Sequence, residues 1–319
     1  MMRTFLQSQL AGQSGNGVID LCLDHKLIAD IHPQKFTEME GLELFPDLRI
    51  FSAAMHEIRT LAGLECAKRL LELDLSLNEI SDISGVELLA EIQRLRLSHN
   101  EIASLTGISL PASLQELDLG FNQLSDISTL SELPNLEILI LNGNRGLANL
   151  NGVPIGIKEL HVTQAFVSDF ERLQSLKGLE SLSISPGSMG GLILLEELPG
   201  LQSLKVSAGR ISGNLNLPEL HGLKTLRIHK AIQTHSISGL HQLRALQHLD
   251  IGNSLLENPP NLEGMNLLEV LEIKFSPLKT LNGVAELKAL KQLILTGSSI
   301  PQEEVRKLKV RRPELEIEL

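Results

Sequence analysis

Leucine and isoleucine recur along this chain at spacings that are neither helical nor strictly alternating. Leu70, Leu73, Leu75, Asn78 and Ile80 spell out L-x-x-L-x-L-x-x-N-x-I. Ile92, Leu95, Leu97, Asn100 and Ile102 repeat it 22 residues on, and Leu114, Leu117, Leu119, Asn122 and Leu124 repeat it again. Leu136, Leu139, Leu141 and Asn144 follow. The frame then runs through Ile157/Leu160/Val162, Leu179/Leu182/Ile184, Leu201/Leu204/Val206, Leu223/Leu226/Ile228, Leu246/Leu249/Ile251, Leu268/Leu271/Ile273 and Leu290/Leu293/Leu295. Steps are 22 except for one of 21 and one of 23. Leu48, Phe51, Ala53 and Ile58 form a weaker first repeat, and Leu315 and Ile317 fall in frame at the end. A fixed period is the mark of a stacked architecture.

Within L-x-L, alternate residues of an extended strand point to opposite faces, so the leucines face a core and the residues between them face solvent. One such turn cannot bury its own apolar side, and its neighbours must stack into a parallel sheet. The Asn after each strand sits where the chain turns inward, and its side chain can bond backbone groups otherwise left orphaned. That Asn stands at 78, 100, 122 and 144; Ala165, Gly187, Gly209, Ala231, Ser254, Ser276 and Ser298 take the place later. Regular turns are expected in the first third, and looser, less uniform ones beyond residue 157.

The pattern resembles the leucine-rich repeat superfamily over residues 48–319. Its linkers, Asn78-Glu79-Ile80-Ser81-Asp82-Ile83 and Asn122-Gln123-Leu124-Ser125-Asp126-Ile127, resemble the 22-residue class of a protein phosphatase regulatory subunit and of bacterial internalins. The resemblance implies an α/β fold: a right-handed leucine-rich-repeat solenoid forming an arc, with a parallel β-sheet on the concave face and short 3-10 or irregular segments on the convex face. It also implies a regulatory subunit of a phosphatase- or kinase-type enzyme, or a bacterial effector contacting host proteins, as alternatives to a general protein-interaction module.

One continuous solenoid domain is expected. Residues 1–47 supply a tail and cap, with Gly12, Gly15 and Gly17 in the tail and Val18, Leu21, Leu23, Phe36, Leu42 and Leu44 in the cap. About twelve repeats occupy 48–311, ending in a capping helix from Gln302 to Arg311 with Val305 and Leu308 on one side. Residues 312–319 form a terminal strand.

Composition agrees with one repeated core. Leucine accounts for 67 of 319 residues, with no Trp, no Tyr and eight Phe. A net charge of −11 disfavours non-specific nucleic-acid binding. Cys22 and Cys66 cannot form a disulfide framework, suit a reducing compartment and are expected to be buried structural thiols. The N-terminus has no apolar signal-peptide run, and no window of 18 apolar residues suggests a membrane span. A cytoplasmic protein is expected, though export by another route stays open.

Catalytic and cofactor chemistry finds no motif. The tail glycines lack the Lys-Ser/Thr of a phosphate loop, the histidines include no H-E-x-x-H, and neither Cys has a C-x-x-C partner. Gly187-Ser188-Met189-Gly190 is not a nucleophile elbow. No enzyme, cofactor or metal site is expected.

The outward strand positions are the default binding surface. Glu72 and Asp74, Arg94 and Arg96, Glu116 and Asp118 predict a self-satisfied charge ladder, for which cross-strand pairs each contribute about 0.2–1 kcal/mol. Ile138 and Ile140 break it, beside Phe121, and apolar groups rimmed by charge resemble an interface core. Further on stand His161, then Lys205, Arg227 and His229 as a basic group suited to a carboxylate-rich or phosphorylated segment, with Asp250 placed to quench it. The expected partner is a protein bound at Phe121, Ile138, Ile140 and His161, with Lys205, Arg227 and His229 as a second contact.

Overall fold

The structure, a computed structural model, describes residues 19–22, 36–185, 190–209 and 213–319. The expectations for Gly12, Gly15, Gly17, Val18, Leu23 and the Gly187–Met189 segment lie outside these residues. The chain divides into two compact units, one of residues 1–147 and 151–157, the other of 148–150 and 158–319.

In the first unit the strands are β1 (Ile19–Cys22), β2 (Leu48–Ser52), β3 (Glu72–Asp74), β4 (Arg94–Arg96), β5 (Glu116–Asp118) and β6 (Ile138–Ile140). Each pairs with the next in parallel, and corresponding repeat positions stand side by side: Leu73 against Leu95, Leu95 against Leu117, Leu117 against Leu139. Short 3-10 turns such as Leu64–Cys66, Val86–Leu88 and Ser128–Glu132 lie in the returning stretches between strands. In the second repeat Leu70, Leu73, Leu75, Ile80, Ile83, Val86 and Leu89 are all buried. The aliphatic frame is therefore the core, one slice per repeat. The cap residues Phe36 and Leu42 are buried with it, and Leu44 is partly so. Strand β1 was not anticipated: the 22-residue frame does not reach it, yet it extends the sheet beyond the first repeat.

The second unit holds β7 (Glu159–Val162), β8 (Ser181–Ile184), β9 (Ser203–Ser207), β10 (Gly213–Asn216), β11 (Thr225–His229), β12 (Thr234–Ser238), β13 (His248–Gly252), β14 (Val270–Lys274), β15 (Gln292–Ile294) and β16 (Glu316–Glu318). Its main sheet runs β7-β8-β9-β11-β13-β14-β15-β16, again parallel. A short helix α1 (Gly190–Ile193) and the ten-residue α2 (Gln302–Arg311) complete it, and α2 buries Leu308 and leads through a turn into β16.

The asparagines form the expected ladder. Each Nδ2 donates to the carbonyl of a leucine or alanine 25 residues back, as Asn100 does to Leu75 at 3.0 Å, and each Oδ1 accepts a backbone N–H 20 residues back, as Asn100 does from Ile80 at 2.9 Å. His56 holds the first rung, its Nδ1 accepting from Phe36 N–H at 3.4 Å. Ser298 makes the same inter-repeat bond with a shorter arm, Oγ to Ile273 O at 2.8 Å. Where Gly209 and Ala231 replace Asn, the turns are less uniform but not loose. Strands β10 and β12 pair in parallel as a separate two-stranded sheet, Leu215 against Ile237, so backbone satisfies backbone where no side chain can.

Cys66 corrects another expectation. The turn Leu64–Cys66 points Leu64 inward and leaves Cys66 exposed as a free thiol, its Sγ donating weakly to Gly63 O. Burial of part of that side chain pushes its pKa up, against the lowering effect of its backbone hydrogen bond. The side chain of Cys22 lies outside the described residues. Among the described residues no helix is long and apolar enough to cross a membrane, and no cluster of His, Cys, Asp and Glu could hold a metal ion.

Candidate protein-interaction surface

Strand pleat aims the third, fifth and seventh residues of each repeat away from the core, and these build the exposed face. On the first unit the strand-face arginines are paired with carboxylates. Arg94 pairs with Glu72, and Arg96 reaches diagonally to Glu116 at 2.9 Å rather than to Asp118 opposite it. The hydrogen bond from Arg94 holds the Glu72 carboxyl below the usual range, against the opposing effect of its burial. Asp74 and Asp118 turn back on their own strands, accepting the N–H of Ser76 at 2.9 Å and of Gly120 at 2.8 Å. Burial pushes the Asp118 carboxyl up, and the bonds from Gly120 and Ser98 draw it part of the way back.

Beside this ladder Ile138 and Ile140 stand opposite Glu116 and Asp118, both half-buried while Leu139 between them is fully buried. They carry no polar group that the sheet needs. Phe121 lies just beyond the strand end, stacked on His99 with ring centroids 4.3 Å apart and planes 8° from parallel. Its other side covers the backbone of Gly143, where an added Cβ would meet the ring at 2.6 Å.

The position before the ladder residue has a left-handed backbone in repeat after repeat: φ is 67° at Met55, 58° at Leu77, 57° at His99, 54° at Phe121 and 76° at Gly143. Glycine takes this conformation freely, whereas an L side chain with a Cβ gives up about 1 kcal/mol or more. Yet Met55, Leu77 and Phe121 are large, apolar and 52%, 46% and 38% exposed. Sequence reasoning reached Phe121 but missed Met55, Leu77 and His99. The signal was the residue preceding each inward-turning Asn or His.

On the second unit His161 is held from both sides, by Glu159 at 2.7 Å and by Ser183 at 3.0 Å. His229 is paired with Asp250 at 3.0 Å, so the anticipated quencher acts on the histidine. Lys205 and Arg227 stand directly opposite each other on β9 and β11, and among the described residues neither is in an ion pair. Asp250 and Glu272, although outward, are buried within the strand-face network. Burial opposes ionisation of Glu272, but hydrogen bonds with Lys274 and His248 overcome it and hold the carboxyl below its usual range. Asp250 keeps one oxygen, Oδ1, without a hydrogen-bond partner. The seven residues singled out from the sequence thus fall in two places. Phe121, Ile138 and Ile140 cluster on the first unit; His161, Lys205, Arg227 and His229 spread across three strands of the second.

Parallel strands linked by 3-10 turns, a leucine core repeated every 22 residues and an asparagine ladder define the class of fold, a leucine-rich-repeat solenoid. Leucine-rich-repeat family models match residues 69–90, 90–132 and 112–154. No curated protein matches the chain in sequence. Among solved structures it is similar to an internalin, InlF, from Listeria monocytogenes, with 22% identity, 88% of each chain covered and a TM-score of 0.61. A leucine-rich-repeat protein of Leptospira interrogans aligns at 20% identity over 88% of this chain and 86% of that one, TM-score 0.51. YopM from Yersinia enterocolitica aligns at 24% identity over 80% of this chain, which spans 52% of YopM, with a TM-score of 0.51. These likenesses establish the fold, with internalin-type similarity.

Proposed function

We propose that the protein is a non-catalytic interaction module that binds another protein on its exposed strand face. The observation that carries this reading is the pair Ile138 and Ile140, two partly exposed isoleucines on one three-residue strand beside the stacked Phe121, in a face whose arginines are already paired. An interface core is apolar with a polar rim, and its few large anchors carry most of the binding energy. Lys205 and Arg227, like charges side by side and in no ion pair among the described residues, form a second contact for an acidic stretch of the partner, flanked by His229 and His161. The fold's use of side chains supports a binding role without chemistry: the arginines and histidines that pair on this face do so with carboxylates of the same or neighbouring strands.

The double variant Ile138→Asp/Ile140→Asp tests this reading. Both side chains face outward, so the melting temperature is expected to stay within a few degrees of the parent. Affinity capture followed by mass spectrometry is expected to lose the specific partner, with the loss of two buried anchors weakening binding by at least about a hundredfold. Retention of every specific partner by the folded double variant would remove this surface from the account. Lys205→Glu/Arg227→Glu is expected to weaken capture less, by about tenfold, and to abolish its dependence on salt.

A further inference from the structure

Met55, Leu77, His99 and Phe121 occupy the same place in four consecutive repeats, so neighbouring strands set them about 4.8 Å apart in a ridge roughly 14 Å long. The ridge is fixed. The backbone N–H of Met55 donates to Ser76 O, that of Leu77 to Ser98 O and that of His99 to Gly120 O, all at 2.8–3.0 Å. Phe121 is wedged between the His99 ring and the Gly143 backbone. Two unfavourable features coincide at each apolar member: a left-handed backbone that glycine or asparagine would adopt at less cost, and a large hydrocarbon surface facing water. Nothing in the core requires them, because the ladder residue next to each makes the inter-repeat bonds.

The surroundings specify what would sit there. Every arginine between residues 49 and 121 already has a carboxylate: Arg49 with Glu91, Arg59 with Glu79, Arg69 with Asp47, Arg94 with Glu72 and Arg96 with Glu116. Asp74 and Asp118, two residues into the strand from Ser76 and Gly120, are left over. Arg96 lies between them in strand order but gives its guanidinium to Glu116. Glu101, two residues after His99, is exposed and, among the described residues, in no ion pair. The apolar ridge therefore has an acidic rim without a free arginine, which repels an anionic surface and attracts a cation.

We propose that this ridge seats a segment of a partner protein that presents large apolar side chains beside lysine or arginine. The apolar groups would lie along Met55, Leu77 and Phe121, and the cation would reach Asp74 or Asp118. The proposal rests on the reading of this protein as a protein-binding module, extends its surface from Phe121 along the ridge, and adds the chemistry of what binds there.

The test is selection of random twelve-residue peptides displayed on phage against the full chain, with three variants as counter-screens. Met55→Asn/Leu77→Asn/Phe121→Asn removes the ridge while placing in each left-handed position a residue that tolerates it, so its melting temperature is expected to hold. Asp74→Asn/Asp118→Asn removes the charge and keeps the side-chain acceptors. Ile138→Asp/Ile140→Asp removes the strand-face anchors. Enriched peptides are expected to combine two or more large apolar residues with Lys or Arg. They should lose at least about tenfold in affinity on the ridge variant, and about tenfold together with their salt dependence on the aspartate variant. Enrichment of acidic peptides, absence of enrichment, or peptides whose binding ignores the ridge variant would overturn the proposal. Peptides that ignore the ridge variant but fail on the isoleucine variant would do so while leaving the strand-face reading intact.

Discussion

Asn100→Ala is expected to destabilise the first unit by about 3–4 kcal/mol, measured as a shift in the urea midpoint with little change in slope. The side chain is buried, donates to Leu75 O and Leu97 O at 3.0 Å each, and accepts from Ile80 N–H at 2.9 Å. Alanine orphans the buried Ile80 N–H, at about 1–3 kcal/mol, and removes one of two side-chain bonds from each carbonyl, at about 0.5–1.5 kcal/mol apiece, since Leu75 O keeps Asn78 and Leu97 O keeps Asn122. Two of the three bonds cross the boundary between the second and third repeats, so the damage falls on nearest-neighbour coupling, which is what stabilises a solenoid. Glu101→Ala, one residue away and exposed, is expected to change stability by no more than about 0.5 kcal/mol. A loss below about 1 kcal/mol at Asn100 would show that the ladder is ornament rather than structure.

Gly152→Ala is expected to cost more than about 3 kcal/mol, or to prevent folding of the surrounding turn, although alanine differs by one methyl group. A Cβ at this position would stand 1.8 Å from Ile127 O, 2.3 Å from Ile127 C and 2.8 Å from Ser128 N. All three are backbone atoms of the preceding repeat, so no rotamer change relieves the clash and two turns must separate. The matching control is Gly178→Ala, whose added Cβ meets nothing within 4 Å and is expected to be close to neutral. Thermal denaturation of both variants decides the point: similar melting temperatures would mean that the turns are not packed backbone to backbone.

Much of this fold is legible before any coordinates, because the period carries it. Leu73, Leu95, Leu117 and Leu139 share a repeat position, and they pair in register on adjacent strands. The asparagines, too, read directly from spacing, since only a side chain with both a donor and an acceptor can bridge turns of different repeats. Legibility ends where a contact depends on something other than period. Strands β10 and β12 arise from short, mostly polar stretches, Gly213–Asn216 and Thr234–Ser238, that lie outside the repeated frame, with Leu215 and Ile237 as their buried apolar residues. Asp250 reads as a quencher of the basic group, but the burial of Asp250 and Glu272 at outward positions comes from their partners on neighbouring strands. The ridge was hidden for a similar reason. Its members are not alternating strand residues, and only the left-handed backbone reveals that Met55, Leu77, His99 and Phe121 form one line. At the exposed face, sequence names the side chains but not their pairings: that Arg96 chooses Glu116 over Asp118 is a matter of reach.

The central claim is that the strand face, rather than the 3-10 side, receives a protein partner. Hydrogen–deuterium exchange and covalent footprinting of the full chain, free and bound to its captured partner, address it most directly. The account predicts protection centred on the outward residues of β5 and β6, on Phe121 and on the side chains of Ile138 and Ile140, with Ser128–Glu132 on the returning side unchanged. Protection confined to Ser128–Glu132 and the equivalent turns, with Ile138 and Ile140 as reactive in the complex as in the free protein, would contradict it.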